Sequence, residues 1–145
     1  MLRDETYVAL DTRTLYALLK LRADVFVVEQ ACAYPDLDDL DHEPGTRHVW
    51  WDEGSGPLAY LRVLAQEDGS RRIGRVVTAT TARRRGLAER LIRHVIDDDT
   101  AIGVPVVLDA QAHLEEWYRR LGFETTGPVF IEDGIAHVPM QLTSR

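Results

Sequence analysis

The order of apolar and polar positions divides the chain into alternating strand-like and helix-like stretches. Residues 5–10 (Glu-Thr-Tyr-Val-Ala-Leu) predict a short first strand. Asp11 or Thr12 can cap the helix that follows, whose Leu15, Leu18, Leu19 and Phe26 recur on one side at helical spacing. The β-branched Val25, Val27 and Val28 weaken helical preference near its end. Strands are then predicted over 47–52, with the pair Trp50-Trp51, and over 57–67, after the turn Glu53-Gly-Ser-Gly56. Behind the turn Asp68-Gly69-Ser70 comes a strand with Ile73, Val76, Val77 and Thr78, predicted to be central. Leu87, Leu91, Ile92, Val95 and Ile96 mark an amphipathic helix. It ends at Asp97-Asp98-Asp99, acids that oppose the helix dipole there. The apolar run Val104 to Leu108 suits a buried strand, parallel to the central one across a right-handed crossover. A last helix closes at Gly122, a natural residue for that place. The final hairpin pairs 123–130 with 136–142 around Glu132-Asp133-Gly134, and Pro128 and Pro139 point to edges or bulges.

The 145 residues suit one domain, spanning 1–145. With 45% hydrophobic and 28% charged residues, the composition is that of a globular chain. No apolar run reaches bilayer length, and the charged start Met-Leu-Arg-Asp-Glu lacks the features of a signal peptide. The formal charge of −7 argues against general nucleic-acid binding and is compatible with a cationic partner. The single cysteine, Cys32, cannot form an internal disulfide, which fits a reducing cytoplasm. As a half-isolated thiol with no His-Asp set at motif spacing, it is expected to be a buried structural group.

The junction of the central strand and its helix carries the most chemistry. Arg83, Arg84, Arg85, Gly86, Leu87 and Ala88 crowd cationic and small residues onto a helix start. Backbone N–H groups there lack partners and the dipole is positive, which suits a phosphate or pyrophosphate. Gly86 lets the backbone approach an anion, and Ala88 keeps the approach clear of bulk. The three arginines can equally be a solvated face. Dinucleotide and P-loop patterns are absent from this stretch.

Arg83-x-x-Gly86-x-Ala88 after Val-Val-Thr resembles the Q/R-x-x-G-x-G/A signature of the GNAT superfamily of N-acetyltransferases. Leu21 to Asp38, with Arg22, Glu29, Gln30, Cys32, Tyr34, Asp36 and Asp38 at matching places, resembles its ElaA-like branch. Leu40, in Asp39-Leu40-Asp41, stands where that branch tends to have glycine. Gln111 to Phe123 resembles the family's N-x-x-A-x-x-x-Y-x-x-x-G-F helix, with Gln111 for Asn and Leu114 for Ala. The ending around Glu132 to His137 also resembles the branch.

The resemblance implies a mixed, mostly antiparallel sheet of six or seven strands, an α/β fold with helices on both faces, splayed between the strands at Val76 and Val106. Acetyl-CoA would lie in the splay, with its pyrophosphate on Arg83 to Ala88 and its pantetheine arm against Val76, Val77, Thr78 and Gln111. Tyr118 would protonate the leaving thiolate, and a strand N–H near Val77 or Thr78 would meet the oxyanion. Glu29 is the first choice of base for the amine, ahead of His42, His48, Asp38 and His137. Asp38, Asp41 and His137 are the acceptor-side candidates, whereas the other acids of 36–43 read as a solvated loop. No metal-ligand spacing is present, so no metal is expected. The acceptor is an unidentified small amine or amino terminus, and the edge of the final hairpin leaves room for a homodimer. The alternative is a catalytically silent acyl-CoA-binding or sensing domain of the same fold.

Overall fold

In the computed structural model, which describes residues 1–143, Asp11 starts the first helix. Its carboxylate accepts a hydrogen bond from the Thr14 amide at 2.7 Å and so caps α1 (Thr12–Arg22). The preceding strand lies earlier than its pattern suggested: β1 is Leu2–Thr6, and Tyr7–Ala9 form a 3-10 turn. Beyond Arg22 the chain widens into a π turn, Ala23–Glu29, where Gln30 N–H reaches the Val25 carbonyl at 3.0 Å. The β-branched valines that disfavour an α-helix lie in this stretch. The wider turn buries Val25 and Phe26 and leaves Glu29 at its exposed end.

Seven further strands complete one sheet: β2 (Arg47–Asp52), β3 (Pro57–Ala65), β4 (Arg71–Thr78), β5 (Val106–Gln111), β6 (Phe123–Thr125), β7 (Phe130–Glu132) and β8 (Ile135–Leu142). The order is β1-β2-β3-β4-β5-β8, with β6 and β7 following one another along the far side of β8. Among the described residues only β4 and β5 are parallel, so the fold is the expected mixed, mostly antiparallel one, with eight strands where six or seven were expected. Strand alternation sends Val49, Leu61 and Val63 to one face, against Leu91, Ile92 and Val95 of α2 (Leu87–Ala101). Trp50, Tyr60 and Val77 point to the other face, against Leu18, Leu21 and Phe26.

The splay has a local cause. β4 and β5 pair only from Arg71↔Val106 to Ile73↔Leu108. On the other side of β4, Tyr60 is opposite Val77 but Arg62 is opposite Gly74, so β4 carries one extra residue. Arg75 takes a left-handed conformation there (φ +52°). Such a bulge bends the strand, and β4 leaves β5 at this point.

Three boundaries depart from the pattern. α2 runs on to Ala101, because Asp99 is buried against Arg47 at 2.9 Å and is no longer a free acid at a helix end. Gln111 closes β5, and α3 is only Glu115–Arg120. Pro139 sits inside an interior strand. Its carbonyl accepts from Thr126 N–H on the β6–β7 side, so its missing donor faces the gap between those two short strands.

Candidate active site

Where β4 and β5 part, a cavity of about 940 Å³ opens. Its floor is β4, with Ile73, Val76 and Val77, and β5, with Leu108. Cys32, Tyr34 and Asp38 form one wall, Gln111, Trp117 and Tyr118 a second, and Glu132 to His137 of the final hairpin a third.

The start of α2 closes one end. Gly86 is the N-cap residue in a left-handed conformation (φ +72°), and it offers no side chain to cap the first amides. Arg84, also left-handed (φ +66°), and Ala88 line the cavity beside them. A helix start of this kind, with cations next to it, has the donors and charge for a phosphate group. Arg83 donates to both carboxylate oxygens of Glu29 at 2.6 Å and to the Thr78 carbonyl at 3.3 Å. That hydrogen-bonded partner holds the Glu29 carboxyl below the ordinary range. Since the Thr78 carbonyl turns away from β3, the two-residue period of the strand leaves the Thr78 and Val76 amides facing the open side.

Tyr118 is 5% exposed, with its ring edge-on to Trp117 and Phe123. Burial raises its phenol pKa. His137 stacks on Phe130 and is oriented by the contact of Nδ1 with the Ile135 carbonyl at 2.8 Å.

Below the acceptor-side wall lies a buried ionic network. Arg22, wholly buried, donates to Asp36 at 3.0 Å and Asp41 at 2.7 Å. Arg62 donates to Asp38 at 2.6 Å and Asp41 at 3.1 Å. Arg75, turned by the bulge, reaches Asp36 at 2.9 Å and Asp38 at 3.2 Å. Three guanidinium charges therefore meet three carboxylates. Burial pushes Asp38 up, but Arg62 and Arg75 outweigh it and hold its carboxyl at about 2. His48 bridges the same network, with Nε2 2.9 Å from the Asp41 carbonyl and Nδ1 2.7 Å from Tyr60 Oη. A carbonyl only accepts, so Nε2 carries the proton and Tyr60 donates to Nδ1. Burial accordingly depresses the His48 pKa.

The family profile described as Acetyltransferase (GNAT) domain matches residues 24–144. The chain belongs to the GNAT family. Escherichia coli ElaA is 38% identical over 90% of this chain and 88% of its own. Its crystal structure superposes with a TM-score of 0.91 over 99% of both chains. These likenesses place this GNAT domain on the ElaA-like branch. The UPF0039 protein Rv2851c of Mycobacterium tuberculosis is 44% identical over 90% of this chain and 85% of that protein. An acyl-CoA N-acyltransferase structure from Pseudomonas aeruginosa superposes with a TM-score of 0.90, at 39% identity over 99% of both chains. Membership makes the chain an acyltransferase of the kind that draws on an acyl-CoA.

Of the residues singled out in the sequence, Val76, Val77, Thr78, Arg83, Arg84, Ala88 and Gln111 line this GNAT cavity, as do Glu29, Tyr118, Asp38 and His137. Four do not. Arg85 turns outward to Glu53, Gly86 contributes backbone conformation, Leu87 is core, and Asp41 is buried between Arg22 and Arg62. Of the acids expected to be a solvated loop, Asp39 and Glu43 are exposed, whereas Asp36 is internal, paired with Arg22 and Arg75. Cys32 is also not a buried thiol: it is half-buried on the cavity wall, its Sγ 3.4 Å from the Asp133 carbonyl.

Arg62, Arg72 and Arg75 on the cavity wall went unnoticed in the sequence. Gly74 inside a strand was the available signal for the bulge that directs Arg75. Away from the cavity, Asp4 on β1 and His94 and Asp98 one turn apart on α2 bring ligand atoms within 4.8 Å of one another. Arg47, 2.6 Å from Asp4 and 3.6 Å from Asp98, already supplies a cation there. Among the described residues, no helix is long and apolar enough to cross a membrane.

Proposed function

We propose that this protein transfers acetyl from acetyl-CoA to a primary amine, on a small molecule or an amino terminus, by direct attack in a ternary complex. The observation that carries this reading is one cavity shared by an uncapped, arginine-flanked helix start and a phenol directed at the same space. The residues present fit an acyl-CoA. Arg83, Arg84 and the first amides of α2 would hold its phosphates, and the open edge of β4 with Gln111 would hold its arm.

In the reaction the amine nitrogen attacks the thioester carbonyl carbon, a C–N bond forms, and the C–S bond breaks. A lysine-like ammonium has a reference pKa of about 10.4, so its proton must first go to a base, and Glu29 is assigned that role. The Thr78 or Val76 amide meets the oxyanion. Tyr118 gives its proton to the departing sulfur, and the second proton that the nitrogen sheds as the C–S bond breaks restores the phenol, so the products are an amide and a free thiol. Asp38, oriented by Arg62 and Arg75, and His137 face the acceptor.

Calorimetric titration with acetyl-CoA, beside Gly86→Trp, tests the reading. The added side chain meets no atom within 4 Å of its Cβ, so it acts through the positive φ and by filling the phosphate approach. Micromolar binding by the natural protein and none by the variant is expected, and an amine panel read by thiol release would follow. No binding by the natural protein would overturn the reading. A silent acyl-CoA-binding domain is the alternative, favoured by the Arg83–Glu29 pair, which occupies both groups at once. Binding without thiol release across the panel would select it.

A further inference from the structure

Glu29 and Arg83 lie 54 positions apart, yet they close on each other across one end of the cavity. Glu29 ends the π turn, and Arg83 opens the loop to α2. Both carboxylate oxygens are engaged at 2.6 Å, and the bidentate guanidinium lowers their affinity for a proton from an ammonium. The guanidinium, for its part, is already neutralised where a phosphate would need it.

We infer that this ion pair is exchanged on binding: phosphate takes the Arg83 guanidinium, and only then is the Glu29 carboxylate released toward the acceptor. The inference rests on the acetyl-CoA reading and adds to it the exchange of this ion pair. Three observations support exchange. The Arg83 and Glu29 side chains are 41% and 39% exposed, so neither is packed in place. Glu29 has no second cation among the described residues, whereas Asp38 in the same cavity is held by Arg62 and Arg75 and has nowhere to go. The Thr78 carbonyl holds Arg83 on its other side, a fixed point about which the guanidinium can turn toward the helix start. A phosphate there competes for the arginine with the help of the α2 amides and Arg84, and a single carboxylate has no such help.

The two roles predict opposite effects of one substitution. In Glu29→Gln, the competitor for Arg83 is gone, so CoA should bind about two- to five-fold more tightly, the scale of a half-exposed ion pair. Arg83→Gln should weaken CoA binding. In the Arg83→Gln background, adding Glu29→Gln should change CoA affinity little, because the pair no longer exists. The experiment is calorimetric titration of the four proteins with CoA. Tightening confined to the Arg83 background supports exchange. No tightening, or the same tightening in both backgrounds, overturns it, the second result because it reports only long-range charge. No CoA binding by the natural protein overturns the acetyltransferase reading itself, and the inference with it. A crystal structure with CoA supplies a second measurement. Arg83 should have parted from Glu29 and turned to a phosphate, and an intact pair would overturn the exchange.

Discussion

Tyr118 sits at the end of an accessible cavity yet is almost fully buried itself, and the combination sets its chemistry. Burial disfavours the phenolate, so its pKa rises above the ordinary value of 10 and the group stays protonated through neutral and mildly alkaline pH. That is the state an acid needs. Tyr118→Phe keeps the ring contacts with Trp117 and Phe123 and removes only the hydroxyl. Turnover should fall by about tenfold to a hundredfold, the lower part of the range for general acid–base groups, because a thiolate is a fair leaving group. CoA affinity should hardly change. Steady-state rates beside calorimetry check this, and wild-type turnover in the variant would remove Tyr118 from the acid's role.

At the scale of elements, the segment 34–46 is nearly devoid of regular structure and is fastened to α1, β3 and β4 by arginine–aspartate pairs. Arg22 is the central clasp, wholly buried and joined to both Asp36 and Asp41. Arg22→Ala would leave Asp36 to Arg75 and Asp41 to Arg62, two guanidinium groups for three carboxylates, and breaking buried pairs in this way costs about 3–5 kcal/mol. Denaturant unfolding should show that loss. Cavity shape should suffer with it, since Tyr34 and Asp38 on the wall belong to the same fastened segment. A loss under about 1 kcal/mol would mean that the network is solvated and loosely held.

For the whole molecule, the same groups predict acid lability. Unfolded, Asp38 takes up a proton near 3.8, whereas folded it stays ionised to about 2. Between these values the unfolded chain binds more protons, so stability falls as pH drops. Asp41 shifts in the same direction. His48 adds to the effect at higher pH. Buried and neutral in the fold, it would protonate near 6.5 once unfolded, so its contribution is lost as pH falls below that value. The melting temperature should therefore decline from pH 7 downward and more steeply below pH 4. Thermal melts across that range test it, and a flat profile would contradict the buried network. His48→Gln should remove the upper part of the decline.

Much of this protein was legible along the chain because the information is local. Apolar periodicity marks the strands and α2, Asp11 marks the start of α1, and the Arg83-x-x-Gly86-x-Ala88 loop marks a helix start open to anions. Those signals come from neighbours a few residues apart, where backbone geometry dictates who meets whom. The extra residue in β4 was hinted at only by Gly74, and its consequence, the parting from β5 that makes the cavity, depends on both partner strands. Likewise, the sequence set Asp38 and Asp41 apart among the five acids in 36–43 but did not separate Asp36 from the exposed Asp39 and Glu43. Which of them are buried depends on arginines 14 to 39 residues away. The pairing of Glu29 with Arg83 is of the same kind. Charge type is written in each residue, but its partner, its burial and hence its proton affinity are properties of the folded neighbourhood.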